Sequence, residues 1–133
     1  MNRRGFSLLV SLVMALVIGA TALFLYSAVN LDMQIAGNNR RVTQAKISAT
    51  SGMSHFSALN LNYASLRERA GDLQSLQIIP ETELGDMTSY EVKVHFCCRL
   101  NERQYIVESI GYYKKRGKIL SQYPVRALYQ GSE

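Results

Sequence analysis

The chain has no tryptophan, and only two prolines and two cysteines in 133 residues. Neither proline comes before Pro80, so none interrupts a helix in the first half of the sequence. The cysteines, Cys97 and Cys98, are adjacent; in a strand they point to opposite faces, and a bridge between them needs a distorted peptide. The two histidines, His55 and His95, have no cysteine or carboxylate framework around them, so no metal centre is expected. No glycine-rich phosphate loop and no nucleophile motif occurs. Catalytic residues and cofactors are therefore not expected, and the chain does not read as an enzyme. Internal repeats and low-complexity tracts are also missing. The net charge of +5 is mildly basic, which is not the composition of a nucleic-acid-binding protein.

Charge is missing altogether from Phe6 to Val29. As a helix this run reaches about 36 Å, enough to cross a bilayer core of about 30 Å. Helix is the expected form, because only a helix satisfies its own backbone within lipid. Arg3 and Arg4 precede the run, and the first charge after it is Asp32. That asymmetry places the N-terminus in the cytoplasm and everything after Val29 outside. The run is too long for the core of a cleavable secretory signal, and Ala28-Val29-Asn30 is a poor cleavage site. Ser7, Ser11, Ala15 and Gly19 recur every fourth residue within it. Small residues at this spacing let membrane helices approach closely, so they are the expected assembly face.

The junction that stands out lies before the run. Arg3-Arg4-Gly5-Phe6-Ser7-Leu8-Leu9, a basic leader ending in Gly and then a long apolar helix, resembles a type IV prepilin. The resemblance implies cleavage after Gly5 by a prepilin peptidase and methylation of the new terminus at Phe6, with the helix retained. Losing Arg3 and Arg4 would lower the positive charge by two. One position departs from the family: the glutamate usual five residues into the mature chain is Val10 here. In the family that carboxylate is thought to compensate the N-terminal amine of a neighbour in a low-dielectric helical core. An unpaired buried charge there costs several kcal/mol. A subunit without it is a poor repeating unit of a long filament, and in the family this loss is typical of low-abundance subunits.

After Val29 no turn signal stops the helix. Leu31, Ile35, Val42, Ala45, Ala49, Met53, Phe56 and Leu59 make one stripe at helical spacing, and Asn38, Arg40, Gln44, Lys46 and Ser48 occupy other positions. The expectation is one nearly continuous helix from Phe6 to about Asn62, amphipathic from residue 30 onward. Met33-Gln34-Ile35-Ala36-Gly37-Asn38-Asn39-Arg40-Arg41, followed by Gln44-Ala45 and Ala49, is similar to a segment of PilX-type minor pilins.

The period is lost from Tyr63 to Ser89, where Gly71, Pro80 and Gly85 punctuate the chain. Residues 63–88 are expected to form a loop in which 65–70 could make a further turn or a short separate helix, and Glu81, Glu83 and Asp86 in it lack calcium-loop spacing. Tyr90, Val92, Val94, Phe96 and Cys98 then alternate with Glu91, Lys93, His95 and Cys97, the pattern of a strand buried on one side. Cys98 is expected to be buried, and Cys97 free or bridged to another subunit. Asn101-Glu102 suits a reversal, Gln104–Tyr113 a second strand, and Lys114–Gly117 a turn. Lys118–Tyr129 is a third strand that Pro124 marks as an edge or a bulge. The basic turn at Lys114, Lys115, Arg116 and Lys118 reads as solvated, guarding a sheet edge.

The expected fold is α+β and pilin-like: a long N-terminal helix on a small three-stranded antiparallel sheet over residues 89–133. The leader is 1–5, the membrane and assembly helix 6–29, and its amphipathic continuation 30–62. The resemblance implies a minor type IV pilin that primes, caps or modulates assembly. Its partners would be other minor and major pilins, prepilin peptidase and the inner-membrane assembly platform, with nucleic acid not expected. Its place would be the inner membrane, single-pass with a periplasmic domain, and then the pilus. The alternatives are a type II secretion pseudopilin and an uncleaved membrane-anchored periplasmic binding domain.

Overall fold

A computed structural model describes residues 3–96 and 103–131. The elements are helices α1 (Arg3–Ala58) and α2 (Tyr63–Ala70) and strands β1 (Ser75–Gly85), β2 (Thr88–Phe96), β3 (Gln104–Lys115) and β4 (Lys118–Gln130). The strands form one antiparallel sheet in the order β1-β2-β3-β4. The chain divides into two compact units between Asn38 and Asn39, so the first two thirds of α1 stand as one unit and the rest of the chain as the other.

The second unit is an α+β domain in which the end of α1 packs on the sheet. Val92, Val94 and Val107 are fully buried, together with Leu66 of α2. Each such side chain contributes about 1.5–3 kcal/mol by leaving water. Phe56 of α1 lies edge-on to Tyr129, and Tyr105 stacks on Tyr129 with centroids 5.5 Å apart. The β2 alternation is as the sequence predicts, with Tyr90, Val92, Val94 and Phe96 buried and Glu91, Lys93 and His95 on the other side. The β3–β4 turn has positive φ at both central residues, Arg116 (53°) and Gly117 (75°), the mark of a type I′ hairpin. β4 is an edge strand, where Pro124 is tolerated.

Three expectations need correction. The sheet has four strands, not three. The fourth, β1, lies within the stretch 63–88 expected to be loop, where α2 is the short separate helix that residues 65–70 allowed. Three register shifts break the alternation of β1, Pro80 interrupts it, and only Ile79 is fully buried, so its period-2 signal is absent from the sequence. Second, α1 ends at Ala58 rather than about Asn62. Leu59 N–H donates to both His55 O and Phe56 O, and Asn60 adopts φ 45°, which stops the helix. Asn62 is instead the N-cap of α2, its Oδ1 accepting from Ser65 N–H at 2.8 Å.

Third, the buried stripe of α1 differs from the expected one. Val42 and Leu59 are exposed, whereas Ser48 and Gly52 are buried with Ala45, Ala49 and Phe56. The helix presents small residues to the sheet because the backbones come very close. A Cβ on Gly111 of β3 would collide with Ala45 O and Ala49 N. One on Gly52 would collide with Ser109 Oγ and lie 2.7 Å from Tyr90 Cδ2. Larger side chains at either place would hold the helix off β3.

Candidate functional site

The first candidate is the surface of α1 before the domain. From Phe6 to Ser27 every residue is exposed, with Phe24 at 74%. The best window of α1 has a mean hydropathy of 2.7 and none of it is buried. This helix is long and apolar enough to cross a membrane. Three of its hydroxyls suit that use. Ser11 Oγ donates to Leu8 O, Thr21 Oγ1 to Val17 O and Ile18 O, and Ser27 Oγ to Leu23 O. These donors are satisfied by the helix itself and require nothing from the surroundings.

The residues named from sequence all fall on this helix. Gly5 and Phe6 lie in its first turns. Val10 is one turn beyond Phe6 and is 40% exposed. Ser7, Ser11, Ala15 and Gly19 are all exposed, and a Cβ on Gly19 would meet nothing within 4 Å. Successive members are displaced by about 40° around the axis, so they form a spiralling strip rather than a straight line.

The second candidate is the sheet face turned away from α1, which carries a charge network. Glu91 accepts hydrogen bonds from Lys93 Nζ (2.9 Å), Tyr112 Oη (2.6 Å) and Gln77 Nε2 (3.2 Å). Glu108 binds Arg126 Nε (2.6 Å) and His95 Nε2 (3.3 Å). Partial burial pushes both carboxyls up, but these donors outweigh it and hold them below the usual range. Burial and the Glu91 carboxylate raise the Tyr112 phenol well above its ordinary value. Every charge here is matched locally, which suits cross-strand support of the sheet.

The acidic and basic turns meet at one end of the sheet. A cleft of about 120 Å³ is lined by Glu81, Glu83, Asp86, Lys114 and Arg116 among others. Glu81 is bound by Lys114 Nζ and accepts from Ser89 Oγ, contacts that hold its carboxyl below the usual range. The acidic trio is thus partly neutralised by the basic turn. His55 Nδ1 hydrogen-bonds Tyr90 Oη at 2.8 Å, so the two histidines are engaged in separate local pairs. Among the described residues, no three His, Cys, Asp or Glu side chains converge as metal ligands. Cys97, Cys98 and the Asn101-Glu102 reversal lie outside the described residues.

Set against known families, characterised proteins and solved structures, the chain finds no match.

Sequence reasoning missed the close approach of α1 to β3. The signal for it was present in the small residues Ala45, Ser48, Ala49 and Gly52 at helical spacing, opposite Ser109 and Gly111. Small residues dilute a hydrophobic pattern even though they are what permits burial.

Proposed function

We propose that the chain is a minor subunit of a type IV pilus-like assembly, made as a single-pass inner-membrane precursor and processed between Gly5 and Phe6. One observation carries the reading: α1 is uncovered from Phe6 to Ser27, and its last turns are the core helix of an α+β domain. An apolar surface of that extent requires cover from outside the chain. Lipid supplies it before assembly, and helices of homologous subunits supply it afterwards. Ser7, Ser11, Ala15 and Gly19 support the second state, since close backbone approach is the gain small residues offer. Arg3 and Arg4 support insertion with the N-terminus inside.

Val10 sets the role within the assembly. Cleavage would leave a charged amine on Phe6, and Val10, one turn along, offers a neighbouring amine no carboxylate. Burying that charge unpaired costs several kcal/mol. The subunit therefore belongs where few copies are needed, priming or capping the fibre instead of repeating along it.

Mass spectrometry of the chain recovered from membranes tests the processing step. The expected mass is that of residues 6–133 with a methylated Phe6 terminus. A chain that keeps Met1, or one trimmed beyond Val29, refutes the proposal, the first outcome leaving an uncleaved anchored domain. The Val10→Glu variant tests the role: incorporation along the fibre should rise, and unchanged abundance and position would refute the electrostatic argument.

A further inference from the structure

The two edges of the sheet are unlike. β1 is bulged at three places, contains Pro80, and has α2 against it. Its charged side chains, Glu81 and Glu83, are acidic. β4 runs in unbroken register with β3 from Ser121 to Gln130. No acidic residue occurs between Lys114 and Gln130, a stretch that includes Lys115, Arg116, Lys118 and Arg126. Arg126 is engaged by Glu108 and Lys114 by Glu81, while Lys115, Arg116 and Lys118 form no salt bridge among the described residues.

The hydrogen-bond phase of β4 identifies the groups that face outward. Gly131 N–H donates to Arg103 O at 2.7 Å, in step with the Tyr105–Tyr129 pair. Lys114 N–H turns the other way, to Met87 O, so its neighbour Tyr113 faces Ser121. The odd-numbered residues from Ser121 to Gly131 therefore bond to β3, and Gln122, Pro124, Arg126, Leu128 and Gln130 turn their backbone groups away. Pro124 belongs to this outward set, where its missing N–H costs no ladder bond. The side chains of β4 that face the helix, among them Tyr123, Val125 and Ala127, are only half-buried, whereas Val92, Val94 and Val107 on the inner strands are fully buried. α1 sits on β3 at Gly111 and reaches Tyr90 of β2 through His55; on β4 the Lys46 ammonium extends over Tyr123 and Phe56, Met53 and Ser57 meet Tyr129, while Val125 and Ala127 between them stay half-buried.

We propose that β4 is a docking edge for an extended acidic segment of another polypeptide, added beside Gln122–Gln130 as a fifth strand. An extended backbone is the occupant because the open groups alternate donor and acceptor at strand spacing; lipid head groups and nucleic acid would satisfy the cations but not this row. The inward side chains of the added strand cover Tyr123, Val125 and Ala127, and its carboxylates meet Lys115, Arg116 and Lys118. The acidic edge of a second copy is a poor occupant, since Pro80 and the bulges of β1 break its own row. The inference stands independently of how the N-terminus is processed.

The test uses the full chain in detergent micelles, with a capped peptide of alternating valine and glutamate as probe and its valine–lysine counterpart as control. Amide exchange at Arg126, Leu128 and Gln130 should slow by about tenfold or more with the glutamate peptide only, the odd-numbered amides changing little. Leu128→Pro removes one outward donor and should abolish this protection at unchanged melting temperature. Lys115→Glu with Arg116→Glu and Lys118→Glu, all at an exposed turn, should abolish it without touching the ladder. No protection at the three amides, equal protection by the lysine peptide, or binding that survives both sets of substitutions overturns the proposal. So does protection that appears in concentrated protein alone with a doubled mass, which would make a second copy the occupant.

Discussion

Replacing Gly111 with alanine tests how the domain is held together. The new methyl group would be driven into the backbone of α1 at Ala45 O and Ala49 N, with Ala45 C at 3.1 Å. Backbone atoms inside a helix have no rotamer to escape into, so the helix must retreat from β3 by about 1 Å or more. Overpacking of a filled core costs about 1–3 kcal/mol, and a collision with backbone belongs at the upper end. Removing a glycine from a strand returns about 0.5–1 kcal/mol through the unfolded chain. The net is about 2 kcal/mol, which for a domain of this size lowers the melting temperature by about 8–16 °C. Near-ultraviolet circular dichroism of the core tyrosines in the full-length protein follows the melt without interference from the apolar helix. Gly52→Ala should cost less, because its neighbours are the Ser109 hydroxyl and the Tyr90 ring, and it regains about 1 kcal/mol of helix propensity. Gly37→Ala, which meets nothing within 4 Å, should not destabilise. A Gly111→Ala protein melting within a few degrees of the parent, or one more stable than Gly52→Ala, would refute the close-approach argument.

Ser109 Oγ is fully buried and finds no hydrogen-bond partner among the described residues. Ser109→Ala should therefore raise stability by about 1 kcal/mol in denaturant titrations, and a loss would mean the hydroxyl is satisfied after all. Asn62→Ala deletes the acceptor for Ser65 N–H and should cost about 1 kcal/mol, seen first as faster amide exchange in α2. Glu81, Glu91 and Glu108 all have folded pKa values below the ordinary 4.5. Their contribution is complete above 4.5 and is lost as pH falls through the lowered values, so stability should hold from neutrality to about pH 5 and then decline. Glu108→Gln should flatten that acid limb, and an unchanged slope would count against the His95–Glu108–Arg126 cluster.

The sequence disclosed what depends on local period and missed what depends on packing. The uncharged run from Phe6, the alternation of Tyr90 to Phe96 and the Arg116-Gly117 turn are all properties of neighbours along the chain, and each reads directly. β1 does not, because an edge strand with Pro80, charges and three bulges has no reason to alternate. The helix stripe was half legible. A pattern search favours Val42 and Leu59 for their size, yet the sheet selects Ala45, Ser48, Ala49 and Gly52 for their lack of it. At the candidate site the residue types were plain from the start. What the structure adds is that no described residue of the first unit covers them.

Small residues occur at helical spacing twice along α1, and the second occurrence bears on the first. At Ala45, Ser48, Ala49 and Gly52 they bring the helix backbone against Ser109 and Gly111, and the sheet supplies the matching surface. At Ser7, Ser11, Ala15 and Gly19 the described residues supply no such surface. Lipid chains would solvate a leucine as well as a glycine there and would gain nothing from the missing side chains. A second helix would gain, because backbone approach multiplies dispersion contacts in a setting where the hydrophobic effect no longer distinguishes partner from solvent. Replacing Gly19 and Ala15 together with leucine is therefore the sharpest way to separate anchoring from assembly. If the proposed assembly is right, the doubly substituted chain should insert in the membrane as the parent does and fail to enter the fibre, while equal incorporation would reduce this strip to ordinary membrane composition.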